Sequence, residues 1–131
     1  MIVNEIMLPL GKFPIIGKSV ILKEALEEMS RYKLGIVCIV DENGILLGVF
    51  TDGDVRRHLL SFQKPFSAFF IDDTLDHAVH SPLTVGLDDQ IERAIDMMGE
   101  RQVWDLPVID KNGRLVGLLH LHPIVKSLMN R

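Results

Sequence analysis

Asp41-Glu42-Asn43-Gly44-Ile45-Leu46-Leu47-Gly48 recurs 69 positions later as Asp110-Lys111-Asn112-Gly113-Arg114-Leu115-Val116-Gly117. The same offset sets Ala25 on Ala94 and Met29 on Met98, with no gap needed from Leu22 through Arg57. Self-similarity at a fixed spacing means two copies of one supersecondary unit. A further match lies upstream at a slightly different offset, where Glu5-Ile6-Met7-Leu8-Pro9 falls on Ala78-Val79-His80-Ser81-Pro82. The length difference falls in Leu10–Gly17, a loop, where insertions are tolerated best.

Each copy reads alike. Leu22, Ala25, Leu26 and Met29, and again Ile91, Ala94, Ile95 and Met98, recur at helical spacing. Ser19 and Asp88 stand near the helix starts as caps. Ile36–Val40 and Leu106–Ile109 are short buried strands. The Asn43-Gly44 and Asn112-Gly113 pairs supply left-handed backbone for tight hairpins. Ile45–Phe50 and Arg114–Leu121 return as strands, and helices follow over about Gly53–Ser61 and Pro123–Asn130. Proline suits the first turn of the second helix. The pattern predicts a mixed α/β (α+β) fold of two pseudo-symmetric β-α-β-β-α repeats packed through their small sheets. One such unit alone cannot bury its sheet and helices. The expected division is repeat 1 over residues 1–61, a linker over 62–74 and repeat 2 over 75–131. The linker phenylalanines Phe62, Phe66, Phe69 and Phe70 read as cover for a core or a subunit contact.

Bulk properties exclude several function classes. The chain has 131 residues, 47% hydrophobic and 24% charged, with a net charge of −4. There is no basic stripe and no interleaving of aromatic with basic residues, so nucleic-acid binding is not expected. The apolar runs are strand-length, too short to span a bilayer, and Met1–Met7 does not read as a signal peptide. Cys38 is the single cysteine and cannot pair internally, which fits a reducing, cytoplasmic setting. Its plain reading is a small buried hydrophobe; a reactive thiol is the competing one. No G-x-S-x-G, P-loop, H-E-x-x-H or C-x-x-C is present, and no nucleophile or acid–base pair marks a catalytic site. The acidic pairs Asp72-Asp73 and Asp88-Asp89 read as solvated loop and cap residues.

The segment richest in chemistry is Gly48-Val49-Phe50-Thr51-Asp52-Gly53-Asp54-Val55-Arg56-Arg57. Here a strand ends and a helix begins, and helix N-termini attract anions. Thr51 can cap the helix or offer its hydroxyl to a phosphate. Asp54 would repel phosphate but can accept two hydrogen bonds from a ribose diol. An ordinary helix cap, with Asp54 as its acidic first-turn residue, is the alternative. The second copy carries His120 and Pro123 in these places. His120 and His122 would share a strand face if the strand continued, but no third metal ligand is evident, and a hydrogen-bonded or phosphate-facing histidine is the simpler reading. His77 and His80 flank a turn, and His58 belongs to the helix after the T-D-G-D loop.

The repeat with its G-h-h-T-x-x-D ending resembles the CBS domain pair, or Bateman module, over essentially the whole chain. The run from Leu47 to Arg57, with Gly117-Leu118-Leu119-His120-Leu121-His122, is similar to the C-terminal pair of arabinose-5-phosphate isomerases. T-D-G-D also occurs in pairs attached to sugar nucleotidyltransferases. The resemblance implies a nucleotide-binding regulatory module. Thr51 would contact phosphate and Asp54 the ribose. Leu83, Thr84, Trp104, Asp105 and Pro107 would form the opposite wall, with backbone around Leu83 and Thr84 reading the base edge and apolar side chains covering its faces. Many nucleotide-binding members carry a basic residue where Asp105 stands. An acid there disfavours ATP and leaves AMP-like ligands or sugar nucleotides such as CMP-Kdo. A second, degenerate cleft would involve Ile15, Ile16, Ile36, Val37 and His120. The resemblance further implies a homodimer, no required cofactor, no metal, and an adenine or cytidine nucleotide as regulatory ligand. The isomerase domain of that family lies outside the pair, so the chain reads as a non-enzyme. It is either part of a longer isomerase or a free-standing module that allosterically modulates an attached or partner enzyme of sugar or cell-envelope metabolism. A ligand-free structural dimerisation module is the competing expectation.

Overall fold

The computed structural model describes residues 1–61 and 63–130. Phe62 of the expected linker and the terminal Arg131 lie outside the described residues. A short 3-10 turn at Val3–Glu5 precedes β1 (Leu8–Pro9), β2 (Ile15–Gly17), α1 (Leu22–Tyr32), β3 (Ile36–Val40), β4 (Leu46–Thr51) and α2 (Asp52–Ser61). Then come α3 (Phe66–Phe70), α4 (Thr74–His77), β5 (Val79–His80) and β6 (Val85–Gly86). The chain closes with α5 (Ile91–Arg101), β7 (Asp105–Ile109), β8 (Leu115–His120) and α6 (Leu121–Met129). This is a mixed α+β fold. Among the described residues, no helix is long and apolar enough to cross a membrane.

Two compact units divide the chain, and they do not coincide with the sequence repeats. One is continuous, Phe13–Pro82; the other is split, Met1–Lys12 with Leu83–Arg131. Each holds one four-stranded sheet, ordered β2-β3-β4-β5 in the continuous unit and β1-β8-β7-β6 in the split unit. The Met7–Pro9 and Val79–Pro82 segments, matched in the sequence, therefore each complete the sheet of the unit built mainly from the other copy.

In the continuous unit β3 pairs in parallel with β2 and antiparallel with β4. β3 is apolar at every position, as a strand flanked on both edges and covered by helix must be, and Ile36, Val37, Cys38 and Ile39 are buried. Leu22, Ala25 and Met29 form the stripe that α1 lays on this core. The split unit repeats the plan, with Ile91, Ala94 and Met98 of α5 packed with Leu106, Val108 and Leu119. Burial of Cys38 supports the small-hydrophobe reading.

Local chemistry differs from expectation at three points. The α1 and α5 N-caps are Ile21 and Gln90, without side-chain cap bonds, rather than Ser19 and Asp88. Their first N–H groups bond instead to backbone from distant segments, Leu22 N–H to Asp72 C=O and Ile91 N–H to Met1 C=O. Second, only the glycine of each Asn-Gly pair is left-handed, with φ +82° at Gly44 and +83° at Gly113. Asp41 and Asp110 organise these turns, each accepting from two backbone N–H groups through Oδ1. That geometry is a tight turn closed by a left-handed glycine, not a two-residue loop. Third, β8 ends at His120, so His122 lies in the first turn of α6 and not on the strand face of His120.

Candidate functional site

At the β4–α2 junction Thr51 and Asp54 cap the helix reciprocally. The Asp54 N–H donates to Thr51 Oγ1 at 3.2 Å. In return Asp54 Oδ2 accepts from the Thr51 N–H at 2.9 Å and from its hydroxyl at 3.1 Å. This is a capping box with aspartate in the acidic role. Arg57, one turn on, donates from Nη2 to Asp54 Oδ1 at 2.8 Å. Asp54 is only 5% exposed, and both of its oxygens are engaged by these bonds. Of the two sequence readings, the helix cap is the one this geometry shows. Gly35, just before β3, accepts the Asp52 N–H through its carbonyl at 3.0 Å. A Cβ at Gly35 would come within 2.8 Å of Asp52 Oδ2.

The β8–α6 junction carries different chemistry on a similar frame. Asp105 faces His120 directly across the strands, and its Oδ1 lies 2.7 Å from His120 Nδ1. Burial pushes the Asp105 carboxyl above the ordinary aspartate value of 3.8, against the pull of the imidazole. The acid expected to face phosphate is occupied by a histidine. Pro123 cannot donate a backbone hydrogen bond and carries no carboxylate. Among the described residues no cluster of His, Cys, Asp or Glu could hold a metal ion.

Comparison with known proteins decides the family. The CBS domain family matches residues 3–61 and residues 70–130. The chain belongs to the CBS domain family, as a pair. It is 33% identical over 131 residues to the arabinose 5-phosphate isomerase GutQ of Escherichia coli, covering 95% of this chain and 37% of that enzyme. It is 32% identical over 129 residues to a Chlamydia muridarum protein, covering 95% of the chain and 38% of that protein. The chain thus spans well under half the length of these relatives. A structure of CBSX2 from Arabidopsis thaliana in complex with AMP superposes with a TM-score of 0.86 at 27% identity, over 98% of this chain and 96% of that one.

The remaining residues singled out from the CBS pattern divide between the units. Thr51 and Asp54 belong to the continuous unit; Leu83, Thr84, Trp104, Asp105 and Pro107 belong to the split one. Leu83 and Thr84 are half-buried just before β6, Trp104 is 68% exposed, and Pro107 is buried in β7. Of the second-cleft residues, Ile36 and Val37 are buried in β3. Ile15 and Ile16 line an open groove of about 400 Å³ with Glu24, Glu27 and Glu28, acids that disfavour a phosphate. His120 lies in the split unit.

The sequence reading missed a polar chain beside the T-D-G-D helix. Asp72 is not simply solvated: its Oδ2 meets Lys64 Nζ at 2.7 Å and His77 Nε2 at 2.8 Å. These hydrogen bonds, Lys64 first, hold its carboxyl below the ordinary range. His58 Nε2 in turn lies 3.0 Å from the His77 carbonyl. Both histidines wall an apolar cavity of about 280 Å³ with Phe50, Phe66, Phe69 and Phe70. The density of phenylalanine in 66–70 was the available signal.

Proposed function

We propose that this CBS pair is a regulatory module for a nucleoside phosphate, with the Thr51–Asp54 junction as its ligand-binding end. Thr51 takes the phosphate side and Asp54 the ribose hydroxyls. Leu83, Thr84, Trp104, Asp105 and Pro107 are the further ligand contacts in this reading. The observation that carries it is the T-x-x-D junction in a chain that matches, almost end to end, a protein solved with AMP. An adenine mononucleotide is therefore the first candidate, and a sugar nucleotide such as CMP-Kdo the second. Binding shifts the population of module conformations, and an attached or partner enzyme of sugar metabolism responds to that shift. The likeness to GutQ supports a sugar isomerase as that enzyme.

Calorimetric titration with AMP, ATP, S-adenosylmethionine, CMP and CMP-Kdo tests this reading. Saturable binding that Asp54→Ala abolishes is the expected result; absence of binding by all five would remove it. A second reading, a ligand-free homodimerisation module, draws on exposed apolar side chains of one stretch, Leu60, Phe66 and Ile71 at 82%, 61% and 72%. Sedimentation equilibrium of the nucleotide-free chain, compared with Leu60→Lys, tests it; a wild-type monomer rules it out.

A further inference from the structure

We propose that Arg57 sets the ligand charge of this site, so that it selects nucleoside monophosphates over unphosphorylated nucleosides. The inference rests on the nucleotide-binding reading above. A carboxylate beside a phosphate is repulsive, and the first turn of α2 holds two, Asp52 and Asp54. Arg57 offsets the nearer one through its 2.8 Å bond to Asp54 Oδ1. That contact uses one of the five N–H donors of a guanidinium, and the Arg57 side chain is 60% exposed. Donors thus remain for an anion that arrives from solvent.

Gly53 fixes where those donors stand. A Cβ on Gly53 would lie 3.1 Å from both Nη1 and Nη2 of Arg57. The Nη1–Nη2 edge of the guanidinium is therefore turned toward Gly53, at the positive end of the helix dipole. The Asp52 and Asp54 N–H groups are already bonded, to the Gly35 carbonyl and to Thr51 Oγ1, so a phosphate at this helix start depends on the guanidinium donors that Asp54 leaves open. A nucleoside without phosphate engages only Asp54 and the base contacts. The equivalent positions of the second repeat hold His122, Pro123 and Lys126, so carboxylate, clearance and fork are all missing there.

Titration of the chain with AMP and with adenosine tests this. Wild type should bind AMP more tightly than adenosine. Arg57→Gln should lower AMP affinity about tenfold or more while changing adenosine affinity by less than about threefold. Gly53→Ala, which keeps the charge but crowds the guanidinium, should lower AMP affinity by an intermediate factor and spare adenosine. Thermal melts of both variants report whether the fold is kept. Equal wild-type affinity for the two ligands, or an equal loss for both in Arg57→Gln, overturns the proposal and reduces Arg57 to a support for Asp54. Binding of neither ligand by wild type defeats the nucleotide reading itself, a different outcome from binding without selectivity.

Discussion

The β4–α2 and β8–α6 junctions share a backbone and little else. Asp52 N–H bonds to the Gly35 carbonyl at 3.0 Å, and Leu121 N–H to the Trp104 carbonyl at 2.9 Å, at matching positions of the two copies. Thr51 faces Ile36 across one hairpin, and His120 faces Asp105 across the other. The first junction satisfies its helix start with a capping box. The second sets Pro123 in the first turn, where a missing N–H has no intrahelical partner to lose, and ties its histidine to the neighbouring strand. The frame is set by buried apolar residues and turn glycines, which both copies keep. The side chains at the junction are free to diverge, and only one copy keeps a carboxylate at the helix start.

The largest expected effect falls on the shared frame. Phe50 and Leu119 occupy matching, fully buried positions. Each truncation to alanine should cost about 3–4 kcal/mol in urea unfolding. A cost below about 1 kcal/mol at either site would show that its core tolerates what its counterpart does not. Next come Gly48 and Gly117. An alanine Cβ at Gly48 would lie 2.8 Å from the Val79 carbonyl oxygen, whereas at Gly117 it would first meet the flexible Met7 side chain and stand 3.0 Å from the Leu8 carbonyl oxygen, a looser backbone contact. Gly48→Ala should therefore cost about 1–3 kcal/mol, and Gly117→Ala less. The reverse order would make β1 the stiffer edge.

Smaller effects separate the junctions themselves. Asp54→Ala removes the capping box and should cost about 1 kcal/mol, whereas Pro123→Ala should stay within about 0.5 kcal/mol of wild type. Equal costs in thermal melts would erase the distinction. The smallest effect is the pH dependence of the second junction. The Asp105 carboxyl holds its proton more tightly in the folded chain, so its contribution is fully present below 3.8 and fades as pH rises through its higher folded value. Wild type should thus lose stability relative to Asp105→Asn as pH climbs out of the acid range. A constant difference across that range would show that burial and the histidine cancel.

The repeat, the helix stripes and the paired strands were legible because apolar period and Asn-Gly spacing are local signals. The cap assignments were not. Ser19 and Asp88 are good capping types, but backbone from Asp72 and Met1 reaches the helix starts first, and that contact is not local in sequence. The left-handed helix ends at Lys33 and Gln102 also escaped, because neither is glycine. At the candidate site, the T-x-x-D spacing singled out the pair Thr51 and Asp54 that the structure joins as a helix cap, whereas the engagement of Asp54 by Arg57 depends on a rotamer. Likewise the Asp105–His120 pair follows from strand register, which the turn fixes and a motif does not.

The exchange of edge segments governs how the chain can be divided. A cut anywhere between Ser61 and Phe66, where the two copies of the pattern separate, would part β4 from β5 and β1 from β8 at once. Each fragment would expose the strand edge its partner had covered, an invitation to mispairing. The breaks that respect the sheets fall instead after Lys12 and after Pro82. Excision of 13–82 leaves one sheet whole, and ligation of residue 12 to residue 83 restores the other. The segment that was duplicated is thus not the segment that can be transplanted.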